Sequence, residues 1–418
     1  MSRPWQTMAF SDAVEVNPRR PIARRTLAPF VDMASLPTKT REVRTVRTRT
    51  VGSGGSTFAN GDTLFARITP CTENGKTGLV SRLTVGEVAT GSTEFIVLGP
   101  RQKITIPQFV YYLAKNPTFR SFAISRMRGT SGRQRVPVSV FDDFEVCLPP
   151  LPEQCKIVAI LSSVEDAIEK TQAVIEQVQV VKRGLMQQLL TRGLPGRHTR
   201  FKQTEIGEIP EEWECAQLGC RAELQPGFAF KSKDFSVTGD RLIRGSNVGV
   251  GGLKWTDDNT KYFPSARRIE VRDYVIREGD IVVAMDRPFI TDGFKIARVT
   301  AEDMPALLLQ RVGRFRRYRE VTPEYLWYLL QSRYIKTHLQ VNQKGTDLPH
   351  ISKTEIESSF CPFPPVREQQ QIAMCLDSLE GFASRLELEQ RQVSMLRLGL
   401  VSVLLTGELR VTPDSEAP

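Results

Sequence analysis

The sequence predicts an α+β fold: two similar globular units of mixed α/β character, each followed by one long helix. Three observations carry that prediction. A stretch occurs twice, 215 residues apart. A heptad pattern of apolar residues runs through both copies. A further set of shared anchors lies upstream of each copy. LPPLPEQCKIVAIL at Leu148–Leu161 returns as FPPVREQQQIAMCL at Phe363–Leu376, and the match continues without a gap to Leu189–Thr191 and Leu404–Thr406. Matched positions include Pro149/Pro364, Pro150/Pro365, Glu153/Glu368, Gln154/Gln369, Gly184/Gly399 and Leu185/Leu400. Solenoid repeats are roughly 20–50 residues long, so this period means duplication of a whole domain with its helix.

After Pro149-Pro150 the chain has no proline from Glu153 to about Leu190, which reads as one helix. Apolar residues fall at 157, 161, 164, 168, 175, 178, 185 and 189, and in the second copy at 372, 376, 379, 383, 386, 393, 400 and 404. Alternating steps of four and three give the 3.5-residue period of a coiled-coil seam. Both copies place a basic residue on the seam, Lys182 and Arg397, with an apolar neighbour one place earlier, Val181 and Leu396. A shared defect at equivalent positions predicts that the two helices pair with each other. About forty helical residues rise roughly 60 Å, the dimension of a spacer.

The preceding units echo each other too. FVYYLAKN (Phe109–Asn116) matches YLWYLLQS (Tyr325–Ser332), and Gly129-Thr130 matches Gly345-Thr346. GDTLFARITP (Gly61–Pro70) answers GDIVVAMDRP (Gly279–Pro288), read as a turn into an alternating strand. Arg41–Ser56 has no evident partner in the second copy, and Arg192–Trp213, rich in Gly, Pro and charge, reads as the linker between halves. The expected organisation is 1–148 for the first unit, 149–194 for the first spacer helix and 195–362 for the linker and second unit. The second spacer helix follows at 363–411, with a tail at 412–418.

The N-terminus lacks the apolar core of a signal peptide and no apolar run approaches 18 residues, so a cytoplasmic protein without a membrane span is expected. Seven scattered cysteines without a CxxC pair, and three histidines, exclude a zinc-site pattern and suggest reduced thiols. The net charge of +10 is concentrated: residues 1–148 alone carry 21 basic and 11 acidic side chains, while the repeated stretches are nearly neutral. That division suits a polyanion bound by one kind of part and proteins bound by the other.

Catalytic motifs fail on inspection. Asn74-Gly75-Lys76-Thr77 lacks the first glycine of a phosphate-binding loop, where Pro70 stands. Asp286-Arg287-Pro288-Phe289 departs from the (N/D)PP(Y/F) motif of amino-methyltransferases, and no glycine-rich methyl-donor motif lies upstream; it reads as a strand end. His198, His338 and His350 have no spacing that implies a metal or a triad. Neither a stand-alone methyltransferase nor a coiled-coil adaptor without a nucleic-acid role accounts for the pattern. The former lacks its motifs, and the latter leaves two divergent basic units unexplained.

The candidate binding residues are basic and amide side chains. Lys39, Arg41, Arg44, Arg47 and Arg49 alternate with Thr and Val ahead of a GSGGS tip that includes Ser53. Such alternation puts guanidinium groups on one face, where arginine pairs bidentately with guanine edges or phosphates. Arg126, Arg128, Arg133, Gln134 and Arg135 span the first Gly-Thr anchor, and Asn342, Gln343 and Lys344 precede the second. Arg244 and Asn247 are weaker candidates, and Arg314, Arg316, Arg317 and Arg319 are expected to face phosphate or solvent.

The duplicated PP-x-x-EQ (Pro149–Gln154, Pro364–Gln369) leading into a helix that ends LLT resembles the specificity subunit of type I restriction-modification systems. IGEIPEEW (Ile206–Trp213), STEFIVL (Ser92–Leu98) and the GD and GT motifs support the resemblance over almost the whole chain. It implies two target-recognition domains, each reading half of a split double-stranded DNA site. The helices would form an antiparallel coiled coil, giving a pseudo-twofold internal repeat. It also implies two methyltransferase subunits and two restriction/translocase subunits as partners. S-adenosylmethionine, ATP and Mg²⁺ would be used by those partners, and this chain would have no active site of its own. One departure stands out: the first unit lacks the IPxxW lead-in of Ile209–Trp213, and its start, MSRPWQTMAFSDAVEVNPR, is abbreviated.

Overall fold

The computed structural model describes residues 4–44, 46–52, 54–130, 132–290, 293–341 and 350–412. The chain forms two compact units, Met1–Ile175 with Arg385–Pro418 and Glu176–Ser384. Each unit therefore takes the beginning of one long helix and the end of the other. These helices are Leu151–Arg192 and Val366–Thr406.

In the first unit a four-stranded antiparallel sheet runs in the order Val14–Val16, Phe95–Pro100, Thr63–Ala66, Thr77–Leu79. A second sheet runs Arg47–Thr50, Leu27–Val31, Ala89–Gly91, Ser56–Phe58, with its middle pair parallel. Thr63–Ala66 is the first GD strand. It alternates as expected, but between two cores and not between core and solvent. Phe65 packs with Phe109 and Phe119 of the helices Pro107–Lys115 and Pro117–Ser125, while Leu64 and Ala66 pack with Val31 and Phe58 of the second sheet. A strand covered on both faces has no polar side to show.

The second unit repeats the plan. Ile281–Ala284, the other GD strand, lies at the centre of a five-stranded sheet, Glu223–Pro226, Val312–Arg316, Ile281–Ala284, Ile296–Arg298, Val250–Gly251. Ile281 and Val283 face the helix Pro323–Leu330, and Val282 and Ala284 face a separate core. The smaller sheet is Tyr262–Phe263, Asp240–Ile243, Ala306–Leu308, again with one parallel pair. The arginine strand of the first unit thus does have a topological counterpart, Tyr262–Phe263, which carries no arginine. Nor is Arg192–Trp213 a plain linker: it folds into the hairpin Phe201–Thr204/Gly207–Pro210 and buries Ile209 and Trp213.

The repeated PP-x-x-EQ has a physical basis in both units. Gln154 donates to Ile104 O and Pro149 O and accepts from Ile106 N. Gln369 donates to Glu320 O and Pro364 O and accepts from Thr322 N. Each glutamine joins the start of its long helix to the segment that begins the unit's buried helix. The neighbouring glutamates are also buried. Glu153 accepts from Trp5 Nε1 (3.0 Å), Arg410 Nε (2.8 Å) and Val411 N (3.3 Å). Glu368 accepts from Trp213 Nε1 (3.1 Å) and Leu194 N (3.4 Å) and meets His198 Nε2 at 2.8 Å.

Trp5 therefore corrects the reading of the N-terminus. The strand after it, Gln6–Ala9, pairs Gln6 with Leu148, as the strand after Trp213 pairs Glu214 with Phe363. The tryptophan of the lead-in is thus present, as Trp5. Both long helices end at a left-handed glycine, Gly193 (φ 74) and Gly407 (φ 80), the conformation that suits glycine just past a helix C-terminus. A side chain at Gly407 would also strike the Trp5 ring, 3.0 Å from its ideal Cβ.

Within each unit the two helices run antiparallel. In the first, Glu165 Oε1 meets Arg397 Nη1 at 3.0 Å and Gln390 Nε2 donates to Gln172 Oε1 at 3.0 Å. In the second, Lys182 Nζ meets Glu380 Oε2 at 3.1 Å, while the far end of the first helix reaches Glu368. Every expected seam position is buried or half-buried. The basic residues stay on the seam, and Val181 and Leu396 point outward, 46% and 57% exposed. What neutralises Arg397 and Lys182 is the same glutamate in each copy, and a buried tyrosine holds that glutamate: Tyr112 OH donates to Glu165 and Tyr328 OH to Glu380.

Burial pushes the Glu153 carboxyl up, but Arg410, Trp5 and the Val411 amide outweigh it and leave it below the usual value of 4.5. A depressed carboxylate stabilises the fold above its unfolded value and loses that contribution as pH falls through the folded value. Glu153→Gln is expected to cost about 1–3 kcal/mol at neutral pH, with the deficit shrinking below pH 4.5. Denaturant unfolding of both proteins across pH checks this; a deficit that persists unchanged into strong acid would contradict it.

Candidate nucleic-acid interface

Both units carry a cleft at the same topological place, just past the ends of the parallel strand pair. In the first unit Phe30 and Val31 pair with Thr90 and Gly91. The chain then turns at Asp32 and at Ser92-Thr93, and these line an open cleft of about 590 Å³ with Arg47 and Arg49. In the second unit Ile243 pairs with Leu308. Arg244, Gln310, Arg287, Arg311, Lys295 and His350 line a cleft of about 740 Å³.

The structure divides the expected residues of the first cluster. Arg47–Thr50 is an edge strand exposed along its whole length. Arg47 and Arg49 stand on one face, as alternation requires. Arg47 lies 3.4 Å from Asp32, and Arg49 stacks over Phe30 at 4.9 Å. The Gly-rich tip closes against the neighbouring strand: a side chain at Gly55 would come within 2.7 Å of Gly91 O. Ser53 lies outside the described residues. Lys39 is exposed, whereas Arg41 and Arg44 are drawn to the first long helix, pairing with Asp166 and Glu169.

The second cluster forms a turn in which Arg128 and Arg135 pair as an isolated bridge. Gly129 is required there, since φ is 129° and an added Cβ would lie 2.8 Å from Arg133 O. Arg128 and Arg133 are exposed, Gln134 is half-buried, and Arg126 stacks on Phe122 at 3.5 Å. Arg135 pairs bidentately with Glu94 and holds its carboxyl below the usual range. Because Glu94 follows Ser92-Thr93, this turn flanks the first cleft. Asn342, Gln343 and Lys344 lie outside the described residues.

Two expectations are corrected. Asn247 is fully buried; its side chain accepts from Arg244 N and donates to Asn259 Oδ1, so it builds a loop. Arg314 is 8% exposed and bound to Asp280, Gln225 and the Val275 carbonyl. Arg316 and Arg317 pair with Glu223. Residue type alone did not separate these internal roles from surface ones.

Sequence reasoning missed most of the second cleft. Arg287, which replaces a proline in the dismissed DRPF motif, is exposed at φ 43°, and Arg311 adopts φ 68°. Left-handed backbone at non-glycine residues is uncommon and collects at binding sites. Asp286 accepts from Arg311 (2.8 Å) and meets His350 Nδ1 at 2.8 Å. Burial raises the Asp286 carboxyl, but these two partners outweigh it and keep it low. Lys295 donates to Gly245 O, and burial holds its ammonium below the usual value. The signal was present in the internal alignment: Asp286–Pro288 stands opposite Ile68–Pro70, beside the first cleft's flanking turn.

All seven cysteines are free, no group of metal-ligating side chains occurs among the described residues, and no described helix is long and apolar enough to cross a membrane.

Comparison with known proteins agrees with this geometry. The family model for the type I restriction modification DNA specificity domain matches residues 3–180 and again 210–393. The chain is 33% identical over 332 residues to the type I restriction enzyme MjaVIII specificity subunit of Methanocaldococcus jannaschii, covering 78% of this chain and 77% of that protein. It is 27% identical to the EcoAI specificity subunit of Escherichia coli, covering 96% and 81%. Among solved structures it matches a chain of a type I R-M complex with TM-score 0.58 at 18% identity, covering 97% and 98%. The S subunit from M. genitalium matches with TM-score 0.56 at 13% identity, covering 98% and 97%. With a duplicated frame, an antiparallel helix pair and two matches to one family domain, the chain belongs to the specificity subunits of type I restriction-modification systems.

Proposed function

We propose that this chain recognises DNA without catalysis of its own, each unit reading one half of a bipartite, asymmetric site. The observation that carries the reading is the pair of basic clefts at equivalent places on a repeated frame, lined by different side chains. A common frame with different contact groups is what two unlike half-sites require. Arginines positioned as Arg47, Arg49, Arg244 and Arg287 are can supply bidentate contacts to guanine or charge to phosphate.

The long helices would set the gap between half-sites and dock two methyltransferase subunits, with two restriction/translocase subunits joining for cleavage. Exposed apolar side chains away from the seam support docking: Leu388 (56%) and Met395 (70%) in the first unit, Val180 (52%) and Met374 (68%) in the second. S-adenosylmethionine, ATP and Mg²⁺ are assigned to those partners.

Mapping methylated adenines in a host with and without this gene is the direct test. Loss of one split motif with a fixed gap is expected; an unchanged methylome in a host that expresses the partner subunits would reject the reading.

Within the assembled methyltransferase, Arg287→Ala should lower discrimination at one position of the second half-site by about 1–3 kcal/mol, or roughly 5- to 150-fold. Competition binding with duplexes altered in either half measures this; equal loss for both halves would remove Arg287 from base reading. Inserting one turn into each long helix adds about 5.4 Å. At ~3.4 Å per base pair, the recognised gap should grow by one or two base pairs. An insertion that keeps the old gap would defeat the ruler role.

A further inference from the structure

The arginine strand of the first unit does not hang free from its sheet. The loop that feeds it is fixed at Val43, which is buried and donates to Leu79 O at 3.0 Å, while Leu79 N donates to Arg41 O at 2.9 Å. On either side of Val43 an arginine reaches the first long helix. Arg41 Nη2 lies 3.3 Å from Asp166 Oδ1 and its Nη1 lies 3.8 Å from Glu165 Oε2. Arg44 pairs with Glu169. Asp166 and Glu169 are one turn apart, so the helix offers the loop two carboxylates in line. Three residues after Arg44 the reading strand begins at Arg47.

Among the described residues the second unit shows no such clamp on its counterpart strand. Positions 381 and 384, equivalent to 166 and 169, are Gly381 and Ser384. Its corresponding strand, Tyr262–Phe263, carries no arginine. Glu165 is different: its counterpart Glu380 is kept, because both serve the helix seam.

We propose that Asp166 and Glu169, on the first long helix, are positioning residues for recognition of the first half-site. They fix the loop that aims Arg47 and Arg49. This rests on the reading of the first cleft as a DNA surface. It makes the first half-site depend on these two carboxylates of the first long helix and leaves the second half-site independent of them.

The sign of the effect separates positioning from plain electrostatics. Removing two negative charges near a DNA surface should tighten binding if charge alone matters. Loss of the clamp should weaken it and blur discrimination.

The experiment uses the complete methyltransferase complex and three duplexes: the cognate site, one altered in the first half and one altered in the second. The double variant Asp166→Asn/Glu169→Gln is expected to lower first-half discrimination by roughly three- to tenfold and leave second-half discrimination unchanged. The conservative pair Asp166→Glu/Glu169→Asp should retain most of it. Tighter binding with intact first-half discrimination, or equal loss in both halves, would overturn the proposal. Arg47→Ala/Arg49→Ala is the parallel control. If that variant loses first-half discrimination while the carboxylate variant does not, the clamp alone falls. If neither changes it, the reading of the first cleft falls as well.

Discussion

Two buried glutamates hold this architecture in place. Glu153 is 2% exposed and Glu368 has no contact with solvent. A carboxylate removed from water is tolerated only if donors surround it. Each glutamate sits at the start of a long helix, and its donors come from two other places in the chain. For Glu153 these are Trp5, at the lead-in of its own unit, and Arg410, beyond the second helix. For Glu368 they are Trp213, at the lead-in of the second unit, and His198 and the Leu194 amide, beyond the first helix. The beginning of one helix must therefore meet the end of the other, twice. Antiparallel pairing follows from satisfying two charges.

The seam obeys the same economy of charge. A basic residue on a coiled-coil seam costs stability but specifies register. Here Arg397 and Lys182 each find the glutamate that the repeat places opposite, and a tyrosine from the globular unit completes the group. Burial leaves the Glu165 carboxyl above its usual value even beside Arg397. The group therefore contributes more to register than to stability. It also joins spacer to reader, since Tyr112 and Tyr328 belong to buried helices beneath the central sheets.

The duplicated frame was legible because its parts are chemically unusual wherever they occur. Paired prolines ahead of Glu-Gln, a glycine before an aspartate, and a heptad lasting forty residues survive any divergence of loops. The heptad also predicts the observed phase, down to the shared basic defect. The binding surface was less legible. Alternation places Arg47 and Arg49 on one face because they belong to one strand. Arg244, Arg287 and Arg311 meet only because a parallel strand pair and a turn after the GD strand end together, which no local pattern announces. Asn247 and Arg314 were misplaced for the opposite reason. A polar side chain in a loop and an arginine in a basic run look the same whether their donors face solvent or carbonyls. Trp5 was missed because a shortened lead-in removes the flanking motif and keeps only the residue that binds Glu153.

The variable chemistry sits where the frame can ignore it. The parallel pair ends at Val31 and Gly91 in one unit and at Ile243 and Leu308 in the other. The last residues of the pairs, Val31, Ile243 and Leu308, are buried. The residues that follow are Asp32 against Arg244, then Ser92 against Leu309, Thr93 against Gln310 and Glu94 against Arg311. Two of the four comparisons reverse charge, and three of the charged groups are neutralised locally: Asp32 by Arg47, Glu94 by Arg135, Arg311 by Asp286. Of these pairs, Asp32 with Arg47 and Asp286 with Arg311 line the clefts themselves. The clamp of Arg41 and Arg44 differs, since it ties the loop ahead of the Arg47–Thr50 strand to the first long helix of the frame.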